Sequence, residues 1–209
     1  MSDPSLDDDE INRLHRKKME RRQAARRKVL ATKTEERGLL IVHTGAGKGK
    51  STAAFGMVFR HIGHGLPVGV VQFIKSASRD TGEARLLARF PDLVSLHVMG
   101  EGFTWETQDR ARDIAAARAA WERAKLLIRD AQHRLVLLDE LNIVLRYDYL
   151  PLDEVLAFLR DEKPAGKHVI VTGRNAAPAL IEMADLVTEM TLVKHPFRQG
   201  VKAQKGIEF

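Results

Sequence analysis

No cysteine occurs among the 209 residues, which excludes a disulfide framework, a thiolate nucleophile, an iron–sulfur cluster and a cysteine-ligated zinc site. Long apolar runs are missing too. The longest, Val155 to Leu159, is far short of the roughly 18 to 20 residues that span a bilayer. The acidic stretch from Asp3 to Glu10 does not read as a signal peptide, so a soluble, cytoplasmic protein with no membrane partner is expected. There is no internal repeat and no low-complexity tract. A composition of 44% hydrophobic and 30% charged residues, with both signs represented, suits a globular body with one buried core and not a disordered chain.

Charge of one sign is scarce except in one place. The net charge is +6, yet Arg13 to Lys28 alone holds nine Lys or Arg against a single acid, Glu20, and the other 25 basic and 27 acidic residues nearly cancel. The basicity therefore belongs to an arm, residues 1–37, and the body is expected at residues 38–209. The arm has good helix formers and no Gly. Ile11, Leu14, Ala25 and Val29 would share one helical face, but Lys18 and Arg22 interrupt it. A solvated basic tail and a helical lid ordering over an anionic ligand are both consistent with this pattern.

From Gly38 onward, short apolar runs alternate with helical stretches, the pattern of a mostly parallel sheet with helices on both faces. Strands are expected at Leu39–His43, Val68–Ile74, Leu93–Val98, Leu135–Asp139, Val169–Thr172 and Val187–Leu192, with helices beginning at Ser51, Glu83, Gln108, Leu152 and Ala176. In the Gln108 helix, Ile114, Ala117, Trp121, Ala124 and Ile128 form a core-facing stripe, so Trp121 reads as packing.

The strongest chemical signal is Leu39-Leu-Ile-Val-His-Thr-Gly-Ala-Gly-Lys-Gly-Lys-Ser-Thr52: a buried strand, a glycine-rich loop, and Lys50-Ser51-Thr52 opening a helix. Gly45, Gly47 and Gly49 let the backbone turn N–H groups inward around phosphate oxygens, the helix N-terminus adds positive potential, and Lys50 adds a point charge. Ser51 can offer its hydroxyl to Mg²⁺. The general phosphate-loop pattern would place its first glycine where this chain has Thr44, and the alternating glycines with a second lysine, Lys48, imply altered loop geometry. A second element, Leu135-Val-Leu-Leu-Asp-Glu140, puts Asp139 and Glu140 at a strand's carboxyl end, where acids beside a phosphate loop organise Mg²⁺. No Ser/His/Asp or Cys/His arrangement stands out, and the eight His, among them His61 and His64, read as structural or surface residues.

Thr44-Gly-Ala-Gly-Lys-Gly-Lys-Ser-Thr-Ala-Ala-Phe-Gly56, Val71-Gln-Phe-Ile-Lys75, Gly102-Phe-Thr-Trp-Glu-Thr-Gln108, Val136-Leu-Leu-Asp-Glu-Leu141, Tyr147-Asp-Tyr-Leu-Pro-Leu152, Val171-Thr-Gly-Arg174, Val193-Lys-His-Pro-Phe197 and Gly200-Val-Lys-Ala-Gln-Lys-Gly-Ile207 together resemble the ATP:corrinoid adenosyltransferases, from Glu36 to the C-terminus. The resemblance implies a RecA-like P-loop α/β fold. It also implies attack of a Co(I) corrinoid on the 5′ carbon of ATP, release of triphosphate, and a nucleotide reversed in the loop relative to ordinary NTPases.

By the same resemblance, Thr44, Gly45, Ala46, Gly47, Lys48, Gly49, Lys50, Ser51 and Thr52 would bind ATP. Lys50 and Glu140 would act in catalysis, Lys50 neutralising the leaving group, and Ser51, Glu140 and Asp139 would hold Mg²⁺ or Mn²⁺. Family members often carry Asn where this chain has Ala46 and Thr where it has Ser51; Ser keeps the metal-binding hydroxyl. Phe103 and Trp105 would pack on the corrin and keep cobalt's lower axial site empty, which eases reduction to Co(I). Arg60 and Arg174 are candidate nucleotide contacts, with exposed salt bridging as the alternative for both. The resemblance further implies a homodimer, a reducing flavoprotein as partner, a place in adenosylcobalamin biosynthesis or salvage, and an arm that closes over the substrates, with no nucleic-acid partner. Read without it, the same loop suits a RecA-like ATPase or kinase whose arm holds nucleic acid, or a nucleotide-gated binding module.

Overall fold

In a computed structural model of the protein, residues 7–76, 81–100 and 109–208 are described. The chain divides into two compact units, Met1–Glu36 and Arg37–Phe209. The first holds one helix, α1 (Asp8–Ala31), with Asp7 as N-cap, its carboxylate accepting from Glu10 N–H at 2.8 Å. Three acids in the first turn and Lys28 in the last complement the helix dipole, and no residue of α1 is buried.

The second unit is built on six parallel strands: β1 (Leu40–Thr44), β2 (Val68–Ser76), β3 (Val94–Gly100), β4 (Leu135–Asp139), β5 (His168–Thr172) and β6 (Leu186–Glu189). They lie in the order β3-β2-β4-β5-β1-β6. Every residue of β1 and β4 is buried, because helices cover both faces, and the alternation of side chains splits each strand between two cores. Leu40, Val42, Val71, Phe73, Val136, Leu138, Val169 and Val171 point to one face, where α4 (Arg110–Arg129), α5 (Leu141–Arg146) and α6 (Leu152–Asp161) contribute Trp121, Ile128, Val144 and Phe158, and α7 (Pro178–Met183) contributes Leu180. Ile41, Val68, Val70, Leu135, Leu137 and Ile170 point to the other. There α2 (Lys50–Gly63) buries Ala54, Phe55, Val58 and Ile62, and α3 (Gly82–Leu87) buries Leu87.

The expected RecA-like α/β architecture is what the structure shows. Trp121 is packing, as its stripe implied: it is 1% exposed, meets Phe158 edge-on at 5.3 Å, and donates its indole N–H to Glu154 at 3.0 Å. β2 and β3 each run two residues past their expected ends, to Ser76 and Gly100, and α4 begins at Arg110 behind an Asp109 N-cap; two further boundaries differ for local reasons. The helix expected from Ala176 starts at Pro178, whose missing N–H and fixed φ suit a first helical position. The last strand ends at Glu189 and not at Leu192, because Met190 turns its N–H to Thr44 O and its C=O to Gly47 N–H. The short helix α5 has no counterpart in the sequence reading. Among the described residues, no helix is long and apolar enough to cross a membrane.

Candidate active site

All six strands run the same way, so their carboxyl ends share one edge of the sheet, where ligands of open α/β sheets bind. Three strand tips meet there. The loop after β1 carries Gly45 to Gly49, the turn after β5 carries Gly173 and Arg174, and β4 ends in Asp139 with Glu140 following. Because β5 lies between β4 and β1, the acids stand two strand spacings from the loop, about 10 Å, and the tip of β5 fills the interval.

In the β1 loop, Gly45 and Gly49 have φ of 96° and 105°, values that favour glycine. A Cβ at Gly45 would also lie 2.4 Å from Met190 O, and one at Gly47 2.5 Å from Thr191 O. The loop glycines thus answer to the close approach of the chain after β6 as well as to any phosphate. Gly49 caps the N-terminus of α2, and Lys50, its first residue, is 8% exposed. Its ammonium donates to Gly47 O, and its own carbonyl faces His43 Nδ1 at 3.2 Å. Burial pulls the Lys50 pKa below the ordinary lysine value; Glu140 opposes this, and Arg174 and Lys48 reinforce it. Those four charges therefore share one electrostatic neighbourhood.

Asp139 is fully buried, with one oxygen accepting from Gln72 Nε2 and the other from Thr172 Oγ1, both at 2.9 Å. Thr172 Oγ1 also accepts the Glu140 N–H at 2.9 Å. That bond helps to hold Glu140 at φ 65°, a left-handed conformation uncommon for a residue with a side chain. The turn places the carboxylate over β5: Glu140 Oε2 lies 3.1 Å from where a Cβ on Gly173 would be. Asn142 donates to Gly173 O at 3.1 Å, Gly173 N–H donates to His43 O at 3.2 Å, and Ala176 N–H donates to Thr44 Oγ1 at 3.0 Å. One chain of hydrogen bonds thus ties β4, β5 and the β1 loop together.

Of the residues singled out from the sequence, Thr44 to Thr52, Asp139, Glu140 and Arg174 are gathered at this edge. Ser51 is half-buried, while Ala46, Lys48, Thr52 and Arg174 are exposed. Arg60 is not among them. It sits exposed in the last turn of α2, about 15 Å along the helix axis from Lys50. Phe103 and Trp105 lie outside the described residues. Gln72, Thr172 and Gly173 fall inside motifs that carry the family resemblance but have no role there, and Asn142 lies outside all of those motifs. Gln72 and Asn142 could have been noticed as polar residues inside apolar runs, whereas a Thr at a strand end carries no such mark.

Among the described residues no group of three or more His, Asp or Glu could enclose a metal ion by itself. Mg²⁺ bound with a nucleotide needs less, since it keeps waters and takes one or two protein oxygens beside the phosphates. The Ser51 hydroxyl and the Glu140 carboxylate fit that requirement. Asp139, with both oxygens engaged by Gln72 and Thr172, fits a supporting place behind them.

The family model of the ATP:corrinoid adenosyltransferases BtuR/CobO/CobP matches residues 36–209. A corrinoid adenosyltransferase of a Sinorhizobium species is 62% identical over 196 residues, covering 93% of this chain and 91% of that protein. That of Pseudomonas aeruginosa is 59% identical over 200 residues, covering 96% and 98%, and that of Escherichia coli K12 is 49% identical over 193 residues, covering 91% and 96%. With a RecA-like sheet and this loop at its carboxyl edge, the chain belongs to the ATP:corrinoid adenosyltransferase family, a family of transferases.

Proposed function

We propose that the protein transfers the 5′-deoxyadenosyl group of ATP to the Co(I) centre of a corrinoid, releasing triphosphate, and that residues 44–52 cradle the triphosphate. The observation that carries this reading is that the glycine-lysine loop and the Glu140 turn both lie within the matched span and at one edge of the sheet. The cobalt is the nucleophile and triphosphate the leaving group, so the 5′ C–O bond breaks as the Co–C bond forms and no protein base is needed. The chain's tasks are positioning, stabilisation of leaving-group charge and exclusion of water.

In this assignment, the ammonium of Lys50 and the N-terminus of α2 bear on the departing oxygens, and Arg174 adds charge from the β5 tip. Ser51 and Glu140 would hold Mg²⁺, which supplies further charge neutralisation to the triphosphate. Asp139 orients Thr172, which in turn holds the Glu140 turn. Phe103 and Trp105 are assigned to the corrin face by the motif Gly102 to Gln108. A reducing flavoprotein and a second copy of the chain complete the assignment as partners, in adenosylcobalamin biosynthesis or salvage.

The test is anaerobic incubation with ATP, Mg²⁺ and chemically generated Co(I) corrinoid. The expected products are an adenosylated corrinoid, followed by absorbance, and an equal amount of triphosphate. Formation of ADP and phosphate without corrinoid would overturn the reading in favour of phosphoryl transfer.

A further inference from the structure

The phosphate loop carries two lysines, and each faces a carboxylate. Lys50 has Glu140 as its opposing charge, which the proposed reaction uses. Lys48 has Glu208, whose Oε2 pairs with Lys48 Nζ, and the proposed reaction gives that acid no task. Glu208 arrives from the far end of the chain by a definite route. After β6, Met190 takes the Gly47 N–H at 2.6 Å and gives its own N–H to Thr44 O at 2.9 Å, so the chain enters the loop's wall. It continues through a 3₁₀ turn at Pro196–Gln199. It then closes a last turn in which Ile207 and Glu208 N–H both donate to Gln204 O, at 3.1 and 2.9 Å, with Gly206 at φ 83°. That turn delivers the Glu208 side chain, 18% exposed, to Lys48, 53% exposed.

Apolar burial does little to secure this segment. Val193, Phe197 and Ile207 are 94%, 77% and 80% exposed, so residues 192–208 form a stretch whose local opening is cheap.

We infer that Glu208 is an internal competitor for the triphosphate: it holds Lys48 before nucleotide binds, gives it up to the phosphates, and takes it back as triphosphate leaves. This rests on the proposed function only in naming triphosphate as the anion. Two anions cannot share one partly exposed ammonium without mutual repulsion, so the acid lowers the affinity for substrate and for product alike. The effect on product matters for turnover. A triphosphate held by two lysines and a helix N-terminus would otherwise leave slowly, and a tethered carboxylate returning to Lys48 speeds its departure.

Calorimetric titration of the full chain with ATP and, separately, with inorganic triphosphate tests the inference on four proteins: wild type, Glu208→Gln, Lys48→Ala and the double variant. Glu208→Gln is expected to tighten both ligands about 3- to 10-fold, with the gain shrinking as ionic strength rises. In the Lys48→Ala background the same change should alter affinity by less than about twofold. Unchanged or weaker binding by Glu208→Gln overturns the inference, as does equal tightening in the Lys48→Ala background, which would make Glu208 a general repulsive charge. Wild type that binds ATP but shows either result defeats this inference alone. Wild type that binds neither ligand defeats the functional reading as well. Thermal unfolding at the wild-type temperature confirms that each variant is folded, and triphosphate inhibition of steady-state turnover should deepen in Glu208→Gln.

Discussion

Lys50 and Glu140 follow strands that are not neighbours, and Thr172 ends the strand that lies between them. Its hydroxyl donates to Asp139 and accepts from the Glu140 backbone, so one side chain sets both the buried acid and the turn. Thr172→Val keeps the shape and removes both bonds. It removes one hydrogen bond to a buried carboxylate and one to a backbone N–H, with an expected cost of about 1–3 kcal/mol in urea unfolding, and turnover falls because the Glu140 turn loosens. An unfolding midpoint equal to wild type would show that the bonds are not needed to hold the turn. Lys50→Ala is a different kind of change, since the ammonium is the principal cation at the first turn of α2. Triphosphate release in single turnover is expected to fall about 10²-fold or more, and a rate close to wild type would remove Lys50 from the assignment.

At the scale of elements, the end of the sheet away from the site holds a histidine whose ring nitrogen accepts a backbone hydrogen bond. Leu39 N–H donates to Nδ1 of His168 at 3.1 Å, where β5 begins beside β1. A proton on that nitrogen would abolish the bond. Burial pushes the His168 pKa below the ordinary histidine value of 6.5, and His61, Arg134 and Lys163 push the same way. Burial also lowers His97, with Arg123 and His133 adding to the shift, and His133, where Asp130 opposes it and Lys167 reinforces it. The unfolded chain therefore takes up protons near pH 6.5 that the folded chain refuses until lower pH, so stability present above that value declines as pH falls below it. The urea midpoint should drop between pH 7.5 and pH 5.5. His168→Gln, whose amide oxygen can still accept from Leu39, should flatten part of that slope. A midpoint independent of pH over this range would contradict the assignment of neutral histidines.

For the whole molecule, the division at Glu36 separates a helix with no buried residue from a unit that contains both cores. Deleting residues 1–36 is accordingly expected to leave the melting temperature of the remaining chain within a few degrees of the parent. A large loss would mean that the arm supports the body. What the arm recognises is a separate matter. If it closes over the substrates, ATP and corrinoid together should protect it from limited proteolysis, and its removal should slow adenosylation. Protection by nucleic acid alone, falling steeply with salt, would identify the other reading.

Much of this was legible in the chain itself. Apolar runs such as Leu135–Leu138, alternating along the chain with helical stretches, read as strands buried on both faces, and the run Gly45-Ala-Gly-Lys-Gly-Lys-Ser51 at the end of one of them marked the loop, because backbone that must turn tightly around an anion needs glycine and a cation in sequence. The location of charge in residues 13–28 was equally plain. Tertiary structure decided which strand stands between the loop and the acids, that Thr172 and Gln72 bind Asp139, that Arg60 lies in the last turn of the helix that Lys50 begins, and that Glu208 reaches Lys48. Each of these joins residues far apart in the chain or depends on distance along an element. Local periodicity records which face a side chain takes, while strand order and the path of the returning C-terminal segment are chosen by packing between elements.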